Sequence, residues 1–206
     1  MKALGPRILL CVVVASLASQ PLSGGLVRQC SLTTLATRAT TILRGRCLRV
    51  TAVRDATPVP YIEYTFDVLE ALKGCRGDDD KVLTTIVFRH VSDRLAQERP
   101  DGFRVAALRL GVPRYRKGEE VVLFLTGESH LGLCSPLGLA QGVFRVHRQD
   151  GLATLKNDCA NRGLFSGMTS KDFSGDASGE LQQLRSLVGP IELQRFLHLC
   201  RSLAVR

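Results

Sequence analysis

The sequence contains no tryptophan, and phenylalanine and tyrosine together supply only 5% of its 206 residues. Hydrophobic residues nevertheless make up 45% of the chain, so aliphatic side chains must fill most of a core. The arginines are scattered, and they lack the accompanying aromatic side chains on which nucleic-acid bases stack. The composition therefore indicates one ordinary domain with appendages, and it disfavours a nucleic-acid partner.

The sequence also lacks an N-terminal apolar run long enough to span a bilayer. The run at residues 8–18 has 11 residues, and it follows a short segment that carries Lys2 and Arg7. A transmembrane helix needs about 20 apolar residues, whereas this pattern is typical of a secretory signal peptide. We therefore predict a signal peptide at residues 1–18, a leader at 19–29, and a secreted or periplasmic protein whose mature chain does not span a membrane. A buried N-terminal helix or a short membrane anchor is the alternative.

No arrangement of residues in the sequence matches a catalytic or metal-binding motif. The histidines stand singly, without the His-x-x-x-His spacing or neighbouring glutamate of zinc sites: His90, His130, His147 and His198. We therefore predict no enzyme activity, no metal and no cofactor. One alternative is a hydrolase in which Cys134 is the nucleophile and His130 is its base. The opposing interpretation is that Cys134 is oxidised in a disulfide.

The cysteines that remain after removal of a signal peptide are even in number: Cys30, Cys47, Cys75, Cys134, Cys159 and Cys200. In an exported protein this is typical of a disulfide framework. We predict two or three bridges, although six cysteines allow 15 pairings and the spacing does not select one. The alternative is that some of them are free buried thiols, which pack as small hydrophobic side chains.

The clearest structural signal is the segment "YIEYTFDVLEALKG" at residues 61–74. Its apolar residues alternate with polar ones: Ile62, Tyr64, Phe66 and Val68. A period of two over this length predicts a half-buried antiparallel strand. Similar patterns predict a bulged strand around Gly45, and a hairpin that turns at Asp150-Gly151. The predicted strands besides residues 61–74 are 41–53, 81–88, 121–125, 139–147 and 152–157.

Two regions depart from the strand pattern. Residues 89–113 are charged and interrupted by proline, which predicts an excursion from the sheet with one short helix before Pro100. Near the C-terminus, a loop is followed by helical patterns at residues 180–188 and 190–203, with Pro190 in the first turn of the second helix.

The order of these elements predicts a mainly β fold with C-terminal helices. A small curved sheet that closes on itself has no exposed edges, which favours a barrel over an open sheet. We therefore predict a five- to six-stranded OB-like closed barrel at residues 30–157. A loop and a C-terminal helical extension are predicted at residues 158–206.

Several segments, in this order, resemble the netrin-like domain, the OB-type barrel shared with tissue inhibitors of metalloproteinases. They are Cys30-Ser31, "ILRGRCLRV", "YTFDVLEALKG", "VLTTIVF" and "RKGEEVVLFL", and the resemblance covers residues 30–147. It implies a non-catalytic binding protein with an inhibitory edge at Cys30, Ser31 and Leu32, whose partner is another protein, an exported metalloprotease. The family's Cys-x-Cys start is absent here, and cleavage before Ser19 or before Cys30 determines whether Cys30 carries the free amine.

Basic residues outnumber acidic ones by 28 to 19, which gives the chain a net charge of +9. A positive surface attracts polyanions. A second interpretation is therefore a module that binds cell-envelope polyanions through a basic patch, formed by Arg104, Arg109, Arg114, Arg116 and Lys117. The competing interpretation is that these residues form a solvated basic loop. The sequence thus predicts a secreted, non-catalytic binding protein, either inhibitor-like or polyanion-binding.

Overall fold

The computed structural model describes residues 28–53, 60–77, 79–92, 94–98, 104–108, 112–169 and 178–204. The predicted signal peptide at residues 1–18, most of the predicted leader at 19–29, and Arg109 lie outside the described residues. None of the helices in these ranges has the length and apolarity that crossing a bilayer requires.

The described residues form mainly β-strands, as the sequence predicts. In chain order the elements are α1 (Leu32–Arg38), β1 (Thr41–Val53), β2 (Tyr61–Lys73), β3 (Thr85–Val91), β4 (Arg94–Glu98), β5 (Arg104–Leu108), β6 (Glu120–Leu125), a 3₁₀ helix (Leu139–Gly142), β7 (Val143–Gln149), β8 (Leu152–Lys156), α2 (Ser178–Arg185), β9 (Ile191–Glu192) and α3 (Leu193–Ala204).

Seven strands form one antiparallel sheet in the order β3-β2-β1-β6-β7-β8-β9, while β4 and β5 form a separate hairpin. The sheet is open, with β3 and β9 at its edges. The predicted closed barrel of five to six strands is therefore wrong in closure and in strand number. Alternation along a strand determines which face is buried, but it does not determine whether the first and last strands meet.

Both edges of the sheet are protected without closure. On β3, the backbone carbonyl of Arg89 accepts a hydrogen bond of 2.8 Å from the Cys134 amide, so a loop covers part of this edge. At the other edge, β9 is only two residues long. Loop coverage and short edge strands are common ways in which open sheets avoid pairing with other chains.

One hydrophobic layer lies between the sheet and helices α1 and α3. Cross-strand pairs on this face are buried, with Ile42 opposite Phe124 and Val122 opposite Phe144. Helix α3 contributes a buried stripe: Leu193, Phe196, Leu197, Leu199, Cys200 and Leu203. Full burial of a large apolar side chain stabilises the fold by about 1.5–3 kcal/mol. This layer therefore holds both helices on the sheet.

A second hydrophobic layer lies on the opposite face of the sheet, and it contains four aromatic residues that we call the aromatic cluster: Tyr64, Phe66, Phe88 and Tyr115. The Tyr115 ring packs edge-on against Tyr64 and Phe66, with centroids 4.8 Å and 5.2 Å apart. These edge-to-face contacts are a favourable arrangement for aromatic rings. Although aromatic residues are scarce, four of them are concentrated in this one layer.

Several local predictions are confirmed. Strand β2 ends at Lys73, directly before Gly74. Gly74 has a φ of +63°, and a Cβ there would lie 2.1 Å from the Thr40 carbonyl oxygen, so that only glycine fits. The pairing of β1 with β2 shifts register at Gly45, which is the predicted bulge. Asp150 and Gly151 both have positive φ, 50° and 78°, as the tight turn between β7 and β8 requires.

Other segments differ from their predictions. No helix precedes Pro100 in the described part of residues 89–113, where β4 and β5 pair instead. The strand predicted at residues 81–88 begins at Thr85 and extends to Val91. Pro190 precedes β9 rather than starting a helix, because Ile191 pairs with β8. In each case pairing with another strand outweighs the preference of the segment by itself.

The segment predicted as a C-terminal extension, residues 158–206, shares the core of the sheet. Leu164, Phe165 and Met168 are buried in the same layer as α1 and α3. Strand β9 adds to the sheet beside β8. The described residues of this segment are therefore part of the same packed unit as the strands before it.

All six cysteines of the described part are free thiols, so the predicted two or three disulfide bridges are absent from the structure. Four are buried: Cys47, Cys75, Cys134 and Cys200. Burial raises the pKa of each of these thiols, and that of Cys75 reaches about 11. These four agree with the alternative of free buried thiols, because an even number of cysteines does not place any two of them together.

Candidate functional site

An open cleft of about 1290 Å³ lies beside the N-terminal end of β6. Six basic side chains line it: Arg46, Arg114, Arg116, Lys117, Arg145 and Arg148. Three acidic residues also line it: Glu119, Glu120 and Asp158. Because basic side chains outnumber acidic ones by two to one, the cleft carries a positive potential.

The turn before β6 is held by backbone hydrogen bonds to β1. The Gly118 amide donates to the Cys47 carbonyl at 2.8 Å, and the Cys47 amide donates to the Glu119 carbonyl at 2.9 Å. The Tyr115 ring anchors this turn in the aromatic cluster, while its neighbours Arg114 and Arg116 are exposed. The turn therefore presents its cations from a rigid base.

Glu120 is the buried carboxylate of the cleft, with only 9% of its surface exposed. The register of β1 and β6 places Arg46 directly opposite it. Arg148 Nη2 donates to both carboxylate oxygens, at 2.8 Å and 3.0 Å. Arg44 Nη1 lies 3.4 Å from Oε1, and Arg46 Nη2 lies 3.7 Å from Oε2. Three guanidinium groups thus surround one carboxylate, which we call the Glu120 cluster.

The charge network continues from the Glu120 cluster to helix α3. Arg44 Nε lies 3.6 Å from an oxygen of Glu70, and Arg201 of α3 also pairs with Glu70. The four arginines and two glutamates of this network leave two positive charges without a partner inside it.

Arg145 is neutralised by the acidic residues around it. It forms ion pairs of 2.8 Å with Glu119 and with Asp158. It also donates to the Arg114 carbonyl at 3.0 Å. These contacts satisfy its guanidinium, so Arg145 stabilises the wall of the cleft rather than attracting a ligand.

Arg116 and Lys117 are the exposed cations at the tip of the turn. Neither side chain forms an ion pair with any residue in the described ranges. A cation on a surface turn without a counter-charge remains available to an anionic ligand.

The structure places the predicted inhibitory edge at the start of α1. The Cys30 amide donates to Gln141 Oε1 at 2.8 Å, and the Ser31 hydroxyl accepts from the Thr34 amide at 3.2 Å. Leu32 is fully buried in the helix-side layer. In the structure these residues cap helix α1 and anchor it to the rest of the fold.

The Cys134–His130 pair of the alternative hydrolase interpretation does not have the features of an activated nucleophile. Cys134 is buried, and its thiol donates to the Thr126 carbonyl at 3.1 Å. Burial raises the pKa of this thiol, whereas a nucleophilic cysteine needs a lowered pKa. His130 lies exposed in the loop between β6 and the 3₁₀ helix.

The predicted basic patch is brought together only in part. Arg114, Arg116 and Lys117 line the cleft. Arg104 lies in the separate hairpin, where its backbone faces Glu98 across the β4–β5 ladder, and Arg109 lies outside the described residues.

Sequence reasoning missed the rest of the cleft, whose residues lie on other strands: Arg46, Glu120, Arg145 and Arg148. The sequence of β1 did contain a signal for the cleft. Arg44 and Arg46 follow the apolar Ile42 at alternate positions, so they lie on a face of the strand where burial favours apolar residues. Their partner Glu120 is far away in the sequence, so the pattern of β1 alone did not reveal it.

No family model matches the sequence, and no curated protein shows significant similarity to it. The resemblance to the netrin-like domain therefore stays a prediction, and the function is inferred from the residues of the cleft.

Proposed function

We propose that the protein is a non-catalytic binding module that takes a polyanionic polymer in the basic cleft. The observation that carries this proposal is the set of six basic side chains that line one open cleft against three acidic ones. The net charge of +9 adds long-range attraction, which increases the rate of encounter with negatively charged partners.

An extended polymer suits the cleft better than a small molecule. The cleft is open, and its exposed cations are distributed between the turn at residues 114–118 and the strands β1 and β7. Separate cations along an open surface are suited to a chain with repeated anionic groups, because each group contributes a modest, additive attraction. A cell-envelope polymer is the matching partner for an exported protein, as residues 1–18 predict.

The inhibitor-like function implied by the resemblance has less support. Its edge residues Cys30 and Leu32 are used for hydrogen bonding and for core packing within the chain. A protein partner at the cleft would have to present acidic side chains in the same arrangement as a polyanion.

The experiment measures binding of the full chain to two fluorescent polymers, a sulfated polysaccharide and a polyphosphate, at about 50 and about 200 mM salt. We expect binding that weakens steeply as salt rises, because ligand phosphates or sulfates exchange with counterions. The double variant Arg116→Gln/Lys117→Gln should weaken binding about tenfold, since each exposed charge contact contributes on the order of 0.5–1 kcal/mol.

The matched control is Arg38→Gln/Arg49→Gln, which removes the same charge from exposed positions outside the cleft. It should change the affinity by less than about threefold, because distant exposed charges are screened by salt. Equal losses in both double variants, or the absence of binding to either polymer at low salt, would refute the proposal.

A further inference from the structure

The side chains of the Glu120 cluster differ in how far they reach solvent. The Glu120 side chain is 8% exposed and Arg44 is 20% exposed, whereas Arg46 and Arg148 are 50% and 57% exposed. The carboxylate therefore lies at the base of the cluster, and two guanidinium groups lie at its mouth, facing the cleft.

These two guanidinium groups are close together, because both approach the same oxygen atom. Arg148 Nη2 lies 3.0 Å from Glu120 Oε2, and Arg46 Nη2 lies 3.7 Å from it. The distance between the two nitrogen atoms is therefore at most the sum of these two distances. Two oxygens of one tetrahedral oxyanion can reach both nitrogens when each accepts a charge-assisted hydrogen bond of about 2.8 Å.

Both guanidinium groups also retain donors for a ligand. A guanidinium carries five N–H donors. Arg148 uses only Nη2 in its contacts with Glu120, and the Arg46 contact of 3.7 Å is too long for a hydrogen bond. No other residue in the described ranges forms a hydrogen bond or an ion pair with either side chain.

We propose that Arg46 and Arg148 form a subsite for a phosphate monoester group, and that Glu120 limits its affinity as an internal competing anion. This inference rests on the proposed function, since it adds to the polymer-binding cleft one subsite for a phosphate monoester group.

The charge of the cluster selects the dianion. The network of Arg44, Arg46, Arg148 and Arg201 with Glu70 and Glu120 carries two surplus positive charges. A phosphate monoester carries a charge of about −1.5 to −2 near neutral pH, which neutralises this surplus. A phosphodiester or a ligand carboxylate carries only one negative charge, and it competes with a Glu120 carboxylate that is already held by three arginines.

The test uses the full chain and three small probes: methyl phosphate, dimethyl phosphate and acetate. Calorimetry should show that methyl phosphate binds about tenfold more tightly than either monoanion, because it alone carries two charges. Arg148→Gln and Arg46→Gln should each weaken methyl phosphate binding about tenfold. The control Arg49→Gln, exposed on the same strand as Arg46, should leave it unchanged.

The decisive variant is Glu120→Gln, which removes the competing charge and keeps the size of the side chain. It should tighten methyl phosphate binding about tenfold and increase the preference over dimethyl phosphate, because the removed carboxylate charge repels a dianion about twice as strongly as a monoanion. Should this variant fail to fold, Arg148→Lys provides the second test. It keeps the charge but loses the planar pair of donors, so methyl phosphate binding should weaken while polymer binding persists.

The outcomes separate this inference from the proposed function. Polymer binding by a protein that does not distinguish the three probes would refute the subsite and leave the proposed function intact. Selective methyl phosphate binding without polymer binding would support the subsite and refute the proposed function. Weaker probe binding in Glu120→Gln would refute the competing role of Glu120.

Discussion

Removal of one hydroxyl group from each of two neighbouring tyrosines should change stability in opposite directions. Tyr64 and Tyr115 are both buried in the aromatic cluster, with ring centroids 4.8 Å apart. Burial raises the pKa of Tyr64 to about 12, and the interaction of its hydroxyl with the Tyr115 backbone opposes this rise. The Tyr115 hydroxyl is buried and has no hydrogen-bond partner among the described residues.

The magnitudes follow from these contacts. Tyr115→Phe removes a desolvated hydroxyl that costs roughly 1–3 kcal/mol when it is buried without a partner. We expect a gain in unfolding free energy of about 1 kcal/mol, since the ring contacts remain. Tyr64→Phe loses the favourable interaction of its hydroxyl with the Tyr115 backbone, which should cost about 1 kcal/mol.

The assay is urea unfolding followed by far-UV circular dichroism, because the chain has no tryptophan fluorescence. Both variants should keep the wild-type slope, so that the change appears in the midpoint alone. In thermal unfolding a chain of this size should shift by about 2–4 °C for each kcal/mol. Destabilisation by Tyr115→Phe would refute the reasoning, since it would mean that this hydroxyl is paired in solution.

The remaining predictions concern a buried amide and a buried thiol. Asn161 is fully buried with φ of +56°, and its side chain hydrogen-bonds three backbone groups at 2.8–3.1 Å. Asn161→Ala should therefore lower the unfolding free energy by about 3 kcal/mol in urea unfolding. Asn161→Gly should be more stable than Asn161→Ala by only the roughly 1 kcal/mol of backbone strain that glycine relieves. Equal stability of wild type and Asn161→Ala would contradict these contacts. Burial raises the pKa of Cys75 to about 11, so the unfolded state, with a thiol pKa near 9.0, loses its proton first as pH rises. The stability that the buried Cys75 thiol contributes is fully present below pH 9, and it falls towards pH 11 by up to roughly 2 kcal/mol. The measurement is made in a non-thiol reductant. Cys75→Ala should reduce this fall, whereas the exposed-thiol control Cys159→Ala should not.

Strands and turns were the features most accessible from the sequence. The alternation in residues 61–74 predicted β2, and Asp150-Gly151 predicted the turn between β7 and β8, because side-chain period and positive φ are local properties. The helix expected before Pro100 was wrong, since the pairing of β4 with β5 is decided by two segments together.

The candidate site was predictable only where its residues are adjacent in the chain. Arg114, Arg116 and Lys117 belong to one turn and were identified as basic. Arg46 and Arg148 were not, because their role depends on convergence upon Glu120 from two different strands. The even number of cysteines likewise gave no information about the distance between any two thiols.

The sequence by itself determined the mainly β fold, the positions of the long strands and the excess of positive charge. These follow from composition and from alternation within a few residues of each position. Only the tertiary structure decided that the sheet stays open, that the thiols remain apart, and that arginines meet at a buried carboxylate. Arg44 and Glu120 are 76 positions apart, and such a contact depends on strand order and register, which no local pattern contains.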